Sequence, residues 1–310
     1  MLLYTSEYFL EHETGRHPEN PERIRTLLAH LDETGLATRC DRKAFGPADL
    51  ESLTAVHRRE YVDAVRRSAA AGGGRIEVDT VVSPQSYDVA LHAAGAAVAA
   101  TDAVIEGDDR RALCLVRPPG HHALANHAMG FCLFNNAAIA ARRALDRHGL
   151  ERVLVVDWDV HHGNGTQALF YDSAAVFYYS IHRWPFYPGT GAADETGVGA
   201  GIGYTLNVPV AFGTPRLEYR DRFDKALEQA AEKCRPQLVL ISAGFDSHAQ
   251  DPIGSLGLET EDFIGLTRAV VEVAESRAAG RLVSLLEGGY NVQALAECVA
   301  VHIEELLRAK

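Results

Sequence analysis

Short apolar runs rich in branched residues recur along the chain, separated by stretches with helical spacing. Residues 112–116, 153–156, 176–180, 238–242 and 282–286 read as strands. These runs are continuous rather than alternating, so both sides of each strand are expected to be buried, as in a parallel sheet. Helical patterns fill the gaps. Residues 135–147 carry apolar positions at helical spacing and end near Gly149, and residues 217–234 are amphipathic and stop before Pro236. Residues 260–277 are expected to open at Thr260, with Phe263 where a capping acid would stand, and to end near Gly280. Residues 90–103 are alanine-rich, broken by His92 and Asp102, and read as a buried helix. No apolar run approaches the length of a membrane span. The alternation predicts an α/β fold, with a mainly parallel sheet flanked by helices on both faces, in one domain over residues 1–310.

The residues that follow each strand change this picture from architecture to chemistry. The first strand is followed by RPPGHH, ending in His121 and His122. The second is followed by DWDVHHGNG, which contains Asp157, Asp159, His161 and Asn164. Ser180, Ile181 and His182 follow the third. The fourth leads into AGFDSH with Asp246, and the fifth into EGGY with Tyr290. In open parallel sheets, sites form beyond the carboxyl ends of the strands. Five polar clusters in register would bring His, Asp and Tyr to one sheet edge.

Composition narrows the class. The chain is 47% apolar and 23% charged, which is globular and not disordered. The net charge of −12 argues against a basic nucleic-acid groove. It would attract cationic substrates mildly, and it also keeps a surface soluble. Five scattered cysteines, an odd number without a C-x-x-C pair, argue against a disulfide framework and for a reducing cytoplasm. The first residues lack a basic region followed by an apolar one, so no signal peptide is expected.

Asp157-x-Asp159-x-His161 has period-two spacing at a strand end, which in extended chain would turn all three side chains to one side. With Asp246 they form a mixed oxygen and nitrogen set. That set suits zinc with an open position for water, and iron or cobalt could use the same ligands. His121 and His122 follow a rigid proline turn. Imidazoles near a metal-bound water are the expected general base and acid for amide hydrolysis. A carboxylate such as Asp157 would fix the tautomer of one of them. Trp158 reads as core, and Cys132 as a small buried thiol rather than a nucleophile.

The ordered motifs RPPGHH, GFCLFNN, VDWDVHHGNGTQ, PGTG, NVP, SAGFDSHAQDP and LEGGY together resemble the histone deacetylase and acetylpolyamine amidohydrolase family. The HHGNGTQ and GFD forms are similar to its class II and bacterial branch. The match runs from about His17 to Tyr290. The resemblance implies an arginase-like fold and a zinc-dependent deacetylase acting on linear amides. It implies zinc held by Asp159, His161 and Asp246. His122 becomes the general base and then acid, His121 its electrostatic partner, and Asp157 the carboxylate behind His121. Asn164 stands where class I members carry an Asp, and Tyr290 becomes the oxyanion donor. Gly130, Phe131 and Tyr187 would line the acyl-lysine tunnel, with Tyr187 departing from the commoner Phe. Asp79 would grip substrate backbone at the rim, and Arg23 would belong to an internal acetate channel. The family also binds potassium. Asp157, Asp159, His161, Ser180 and Ile181 would form one site, and the carbonyls of Phe170, Ser173, Val176 and Tyr204 a second.

Ile253 stands seven positions after Asp246, where polyamine-preferring eukaryotic members carry a glutamate gatekeeper. An isoleucine there favours acyl-lysine or another singly charged or neutral N-acyl amine over a polyamine. The sequence leaves acetylpolyamine deacetylation, and a non-catalytic acyl-lysine binder, as rival readings. A two-metal ureohydrolase-like enzyme would want a larger carboxylate cluster. The partner is expected to be an acylated amine, with neither nucleic acid nor membrane involved, and both monomer and homo-oligomer stay open.

Overall fold

The computed structural model describes residues 1–308 of the 310. Its strands are β1 (Leu2–Thr5), β2 (Asp41–Arg42), β3 (Gly74–Arg75), β4 (Val81–Val82), β5 (Arg111–Leu115), β6 (Val153–Asp157), β7 (Val176–Arg183), β8 (Thr205–Val210), β9 (Leu238–Ala243) and β10 (Leu282–Leu286). Eight of them form one sheet in the order β2-β1-β5-β10-β9-β6-β7-β8, and every pairing in it is parallel. Strands β3 and β4 form a separate antiparallel ribbon.

The helices are α1 (Glu22–Glu33), α2 (Leu50–Thr54), α3 (Arg59–Ala70), α4 (Ser86–Glu106), α5 (Asn136–Asp146), α6 (Asn164–Phe170), α7 (Arg216–Cys234), α8 (Thr260–Arg277) and α9 (Val292–Leu307). Helices α1, α9, α8 and α7 pack in succession, while α4 packs on α5. Every residue of β6, β9 and β10 is buried. Strands buried on both sides need helices on both faces, which accounts for their Val-, Leu- and Ile-rich content. The expected α/β architecture is therefore present.

Three local readings are corrected. Strand β7 runs on to Arg183 because it pairs with β8, a strand that the broken pattern TLNVPV concealed. Helix α8 is capped one residue earlier than Thr260 suggests, since the Glu259 N–H donates to Asp262 Oδ2 at 2.8 Å. Helix α4, at 21 residues, is long and apolar enough to cross a membrane, although no such run was expected. Here Ala90, Ala93, Ala97, Ala100 and Val104 are buried in the protein core instead. Small alanines let it lie close to β5 and α5.

Candidate active site

Strand β6 ends at Asp157, and the next residues leave the sheet. The D-x-D-x-H spacing therefore does not work through a pleat. It works through side chains that accept backbone N–H groups two residues on. Asp157 Oδ1 accepts from Asp159 N at 3.2 Å, and Asp159 Oδ1 accepts from His161 N at 2.9 Å. Such Asx turns fix the loop locally. Two further amides orient the carboxylates from outside. Gly288 N donates to Asp159 Oδ2 at 2.8 Å, and Val160 N to Asp246 Oδ1 at 2.9 Å.

The loops after β6 and β9 bring Asp159, His161 and Asp246 together, with one donor atom from each within 4.8 Å of the others. Asp159 Oδ1 and Asp246 Oδ2 lie 3.0 and 3.1 Å from His161 Nδ1. All three residues are buried. Asp246 Oδ2 is buried without a hydrogen bond. Burial, and then the neighbouring Asp159, push the Asp246 carboxyl up. Two buried carboxylates side by side are costly unless a cation joins them. An orphaned carboxylate oxygen, an imidazole and a second carboxylate converging on one point fit a divalent metal such as zinc. Side chains at Gly244 or Gly288 would collide with these carboxylates, so both positions need glycine.

Next to this cluster lie the tandem histidines, carried by the loop after β5. Their rings are 4.0 Å apart, yet their surroundings differ. His121 Nδ1 faces Asp157 Oδ2 at 3.1 Å, and the same oxygen accepts from the Tyr178 hydroxyl at 3.0 Å. Burial disfavours the His121 cation, but the Asp157 and Asp159 carboxylates outweigh it and raise the imidazole to about 10. His122 Nδ1 instead meets the amide oxygen of Asn164 at 2.7 Å. Burial, followed by the charges of His121 and His161, holds His122 well below the usual imidazole range. Adjacent imidazoles are thus pushed apart, one toward its charged form and the other toward its neutral form.

A cavity of about 220 Å³ opens over the cluster, lined by Asp79, His122, Gly130, Phe131, His161, Phe186, Tyr187, Ile253 and Tyr290. Phe131 stands edge-on to Tyr290, with ring centroids 5.6 Å apart. Gly130 and Phe131 both take left-handed backbone, with φ of 56° and 70°. Glycine at 130 lets the His122 ring lie against the chain, where a Cβ would clash. Asp79 follows β3 and its Oδ1 accepts from Gly130 N at 3.1 Å, so it braces the tunnel turn as well as lining the cavity. Burial pushes the Tyr290 phenol well above its ordinary range, which keeps it a proton donor.

Other sequence-selected residues flank the site or lie away from it. Ser180 is the register partner of Asp157 across β6 and β7, and Ile181 follows it, buried. Phe170, Ser173, Val176 and Tyr204 lie at the far end of the sheet. Two of their carbonyls already accept amides, Phe170 from Ser173 and Tyr204 from Tyr178. Arg23 is buried behind Tyr290 and donates to the Gly289 carbonyl at 2.7 Å. Ile253 lines the cavity and is not a core residue. Trp158 and Cys132 are fully buried, and His182 is buried and hydrogen-bonded.

Two contributors received no role from the sequence. Glu287 is fully buried and accepts from Gly120 N at 2.7 Å and His121 N at 3.1 Å, which pins the tandem-histidine turn to β10. Burial raises its carboxyl to about 7. An acid at the exit of an apolar strand was the available signal. Phe186 stacks on His161, with centroids 5.3 Å apart and planes 16° apart. The aromatic run Trp184-Pro185-Phe186-Tyr187 was its only trace in the sequence.

Comparison with known proteins matches residues 17–306 to the histone deacetylase domain. The chain is 42% identical over 291 residues to a histone deacetylase-like amidohydrolase of Pseudomonas aeruginosa, covering 94% of this chain and 77% of that protein. It is also 42% identical over 302 residues to a polyamine deacetylase of Homo sapiens, covering 93% of this chain and 44% of that protein. A probable deacetylase of Archaeoglobus fulgidus is 39% identical over 294 residues, 94% of this chain and 81% of that protein. Among solved structures, the HDA15 HD domain superposes with a TM-score of 0.93 at 37% identity, covering 100% of this chain and 91% of that one. With these motifs, this sheet and this extent of similarity, the chain belongs to the histone deacetylase family.

Proposed function

We propose that the chain is a zinc-dependent amidohydrolase that removes short acyl groups, acetyl above all, from lysine side chains or other singly charged or neutral N-acyl amines. The observation that carries this reading is the convergence of Asp159, His161 and Asp246 at the floor of a cavity that also presents His122 and Tyr290. A zinc ion held there supplies a Lewis acid for the acyl carbonyl and lowers the pKa of water. The protein's own groups supply the rest. His122 is neutral, and Asn164 engages its Nδ1, which leaves Nε2 to take a proton from the attacking water. The same imidazole returns that proton to the departing amine, which leaves poorly without it. The Tyr290 hydroxyl keeps its proton and donates a hydrogen bond to the carbonyl oxygen as that oxygen gains charge. Phe131, Phe186, Tyr187 and Ile253 form the apolar wall around the acyl-bearing stem, and Asp79 meets the substrate at the rim.

Polyamine deacetylation is the second reading, because a relative at 42% identity carries that name. Ile253 in the wall weighs against it, since an apolar side chain gives a second, internal ammonium no partner. The register of Ser180 beside Asp157 supports potassium at the first expected site. The second potassium site, on backbone carbonyls, is proposed on the resemblance alone. Five free cysteines support a reducing, cytoplasmic setting.

The test is turnover of a panel of acyl-lysine peptides, acetylpolyamines and small N-acyl amines, with metal analysis of the same protein. Hydrolysis of acetyl-lysine that a hydroxamate blocks is expected, together with joint loss of zinc and activity in Asp159→Ala. Full zinc occupancy in that variant, or no turnover of any member, overturns the reading.

A further inference from the structure

Arg183 ends β7 just below the cavity wall, and its guanidinium is held by two aromatic faces and a carbonyl. Its Cζ lies 4.1 Å from the ring centroid of Phe186 and 4.6 Å from that of Phe212. Its Nη1 donates to the Gly254 carbonyl at 2.8 Å. These three partners belong to three different loops, those after β7, β8 and β9. Two of the loops form the cavity wall. Phe186 lines the cavity and stacks on His161, and Gly254 follows Ile253, which also lines it. Phe212 is 66% exposed, so its contact with Arg183 is not enforced by a surrounding core. The backbone adds a fourth link, because Arg183 N donates to the Val160 carbonyl at 2.9 Å, between Asp159 and His161.

We propose that Arg183 is a positioning residue that clamps the three loops and thereby sets how closely Phe186 and Ile253 approach the acyl-bearing stem. A planar guanidinium suits this task. It stacks on two rings and still projects a donor in its own plane. An ammonium would keep the charge and lose the stack. Arg183 itself is absent from the cavity lining, so its effect on substrate passes through Phe186 and Ile253. The clamp governs binding that ground state and transition state share, and its loss belongs in KM rather than kcat. Acyl-length preference should relax as well, since a hydrophobic wall discriminates by single methylenes.

This inference rests on the deacylase reading above, and the experiment separates the two. Arg183→Met, Arg183→Lys and Phe212→Ala are compared with the parent protein by kcat and KM on acetyl-, butyryl- and hexanoyl-lysine peptides, by zinc content, and by hydrogen exchange. Exchange is followed over residues 184–190 and 251–256. Arg183→Met is expected to raise KM for the acetyl peptide by roughly tenfold, with kcat within about threefold and zinc retained. It should also narrow the preference for acetyl over the longer acyl groups and speed exchange in both loops. Arg183→Lys should recover only part of this, and Phe212→Ala should give a smaller change of the same sign. An unchanged KM and acyl preference, even with loosened loops, overturns the proposal. So does a fall in kcat that follows lost zinc, which marks collapse of the site. If the parent protein hydrolyses no acyl amine, the functional reading fails. The exchange data then decide the clamp alone, with unchanged loops overturning it.

Discussion

The amide oxygen of Asn164 lies 2.7 Å from Nδ1 of His122, and Asn164 Nδ2 in turn donates to the Met129 sulfur at 3.3 Å. An amide oxygen accepts a hydrogen bond from Nδ1–H and favours a charged ring less than a carboxylate would. His122 is thereby oriented while it stays neutral.

This arrangement fixes the sign of a pH effect. The His122 pKa is depressed, first by burial and then by His121 and His161. A base must be neutral to act, so activity falls only when pH drops through that depressed value. The acid limb of kcat/KM is expected below the ordinary imidazole value of about 6.5. Asn164→Asp places a carboxylate at Nδ1 and should move the limb upward by about one unit or more. A pH profile of the variant that overlies the parent profile would contradict the assignment of His122 as base.

Tyr290 lines the cavity, and burial keeps its phenol protonated. On the proposed mechanism, Tyr290→Phe removes one hydrogen-bond donor to the developing oxyanion. The expected loss in kcat is roughly 10²–10³-fold, with zinc content unchanged. Steady-state kinetics paired with metal analysis checks this, and near-normal kcat would remove Tyr290 from the mechanism.

Ile253 makes substrate choice testable. A glutamate at this cavity position would offer an ammonium a charged partner that isoleucine lacks. Ile253→Glu is expected to shift the kcat/KM ratio toward N8-acetylspermidine and away from an acetyl-lysine peptide. A strong preference for acetylspermidine in the parent protein would show that this residue does not set the choice.

Behind the site, Glu19 lies buried with Arg23 and Arg117. It accepts from Arg23 Nη1 at 3.1 Å and from Arg117 Nη2 at 2.8 Å. Burial alone would raise its carboxyl, but the two guanidiniums win and lower it from 4.5 to about 2. A depressed folded pKa contributes stability above the unfolded value of 4.5, and this is lost as pH falls toward about 2. Glu19→Gln leaves two buried cations short of a counter-charge and should cost about 3–5 kcal/mol near neutral pH. Denaturant unfolding from neutral pH down to about 2 should also show a shallower acid slope for the variant. Parent-like stability across that range would refute the account.

What the sequence revealed depended on how local each cause was. The five central strands were legible because burial on both sides leaves unbroken apolar runs. Asp159, His161 and Asp246 were legible because each leaves a polar mark directly after such a run. The Asp157–His161 spacing suggests a pleat, but Asx turns orient those groups instead. The contacts of Glu287 and Arg183 were not legible because their partners depend on which strand lies beside which. Glu287 reaches the β5 loop only because β10 lies next to β5. Strand β8 was hidden by Pro209 and by half-buried positions at the sheet edge.

Strand β10, the last in chain order among the described residues, lies in the middle of the sheet, hydrogen-bonded to β5 on one side and β9 on the other. On the ribosome, the β2-β1-β5 part therefore cannot join the rest of the sheet until residues 282–286 emerge. The strands β6 to β9 can pair earlier, but only as a half-sheet with an open apolar edge at β9. Such an edge is a template for pairing with other chains. A nascent chain stalled before β10 would carry Asp159, His161 and Asp246 and yet expose this edge. It would depend on chaperones, or on rapid completion of synthesis, to escape aggregation.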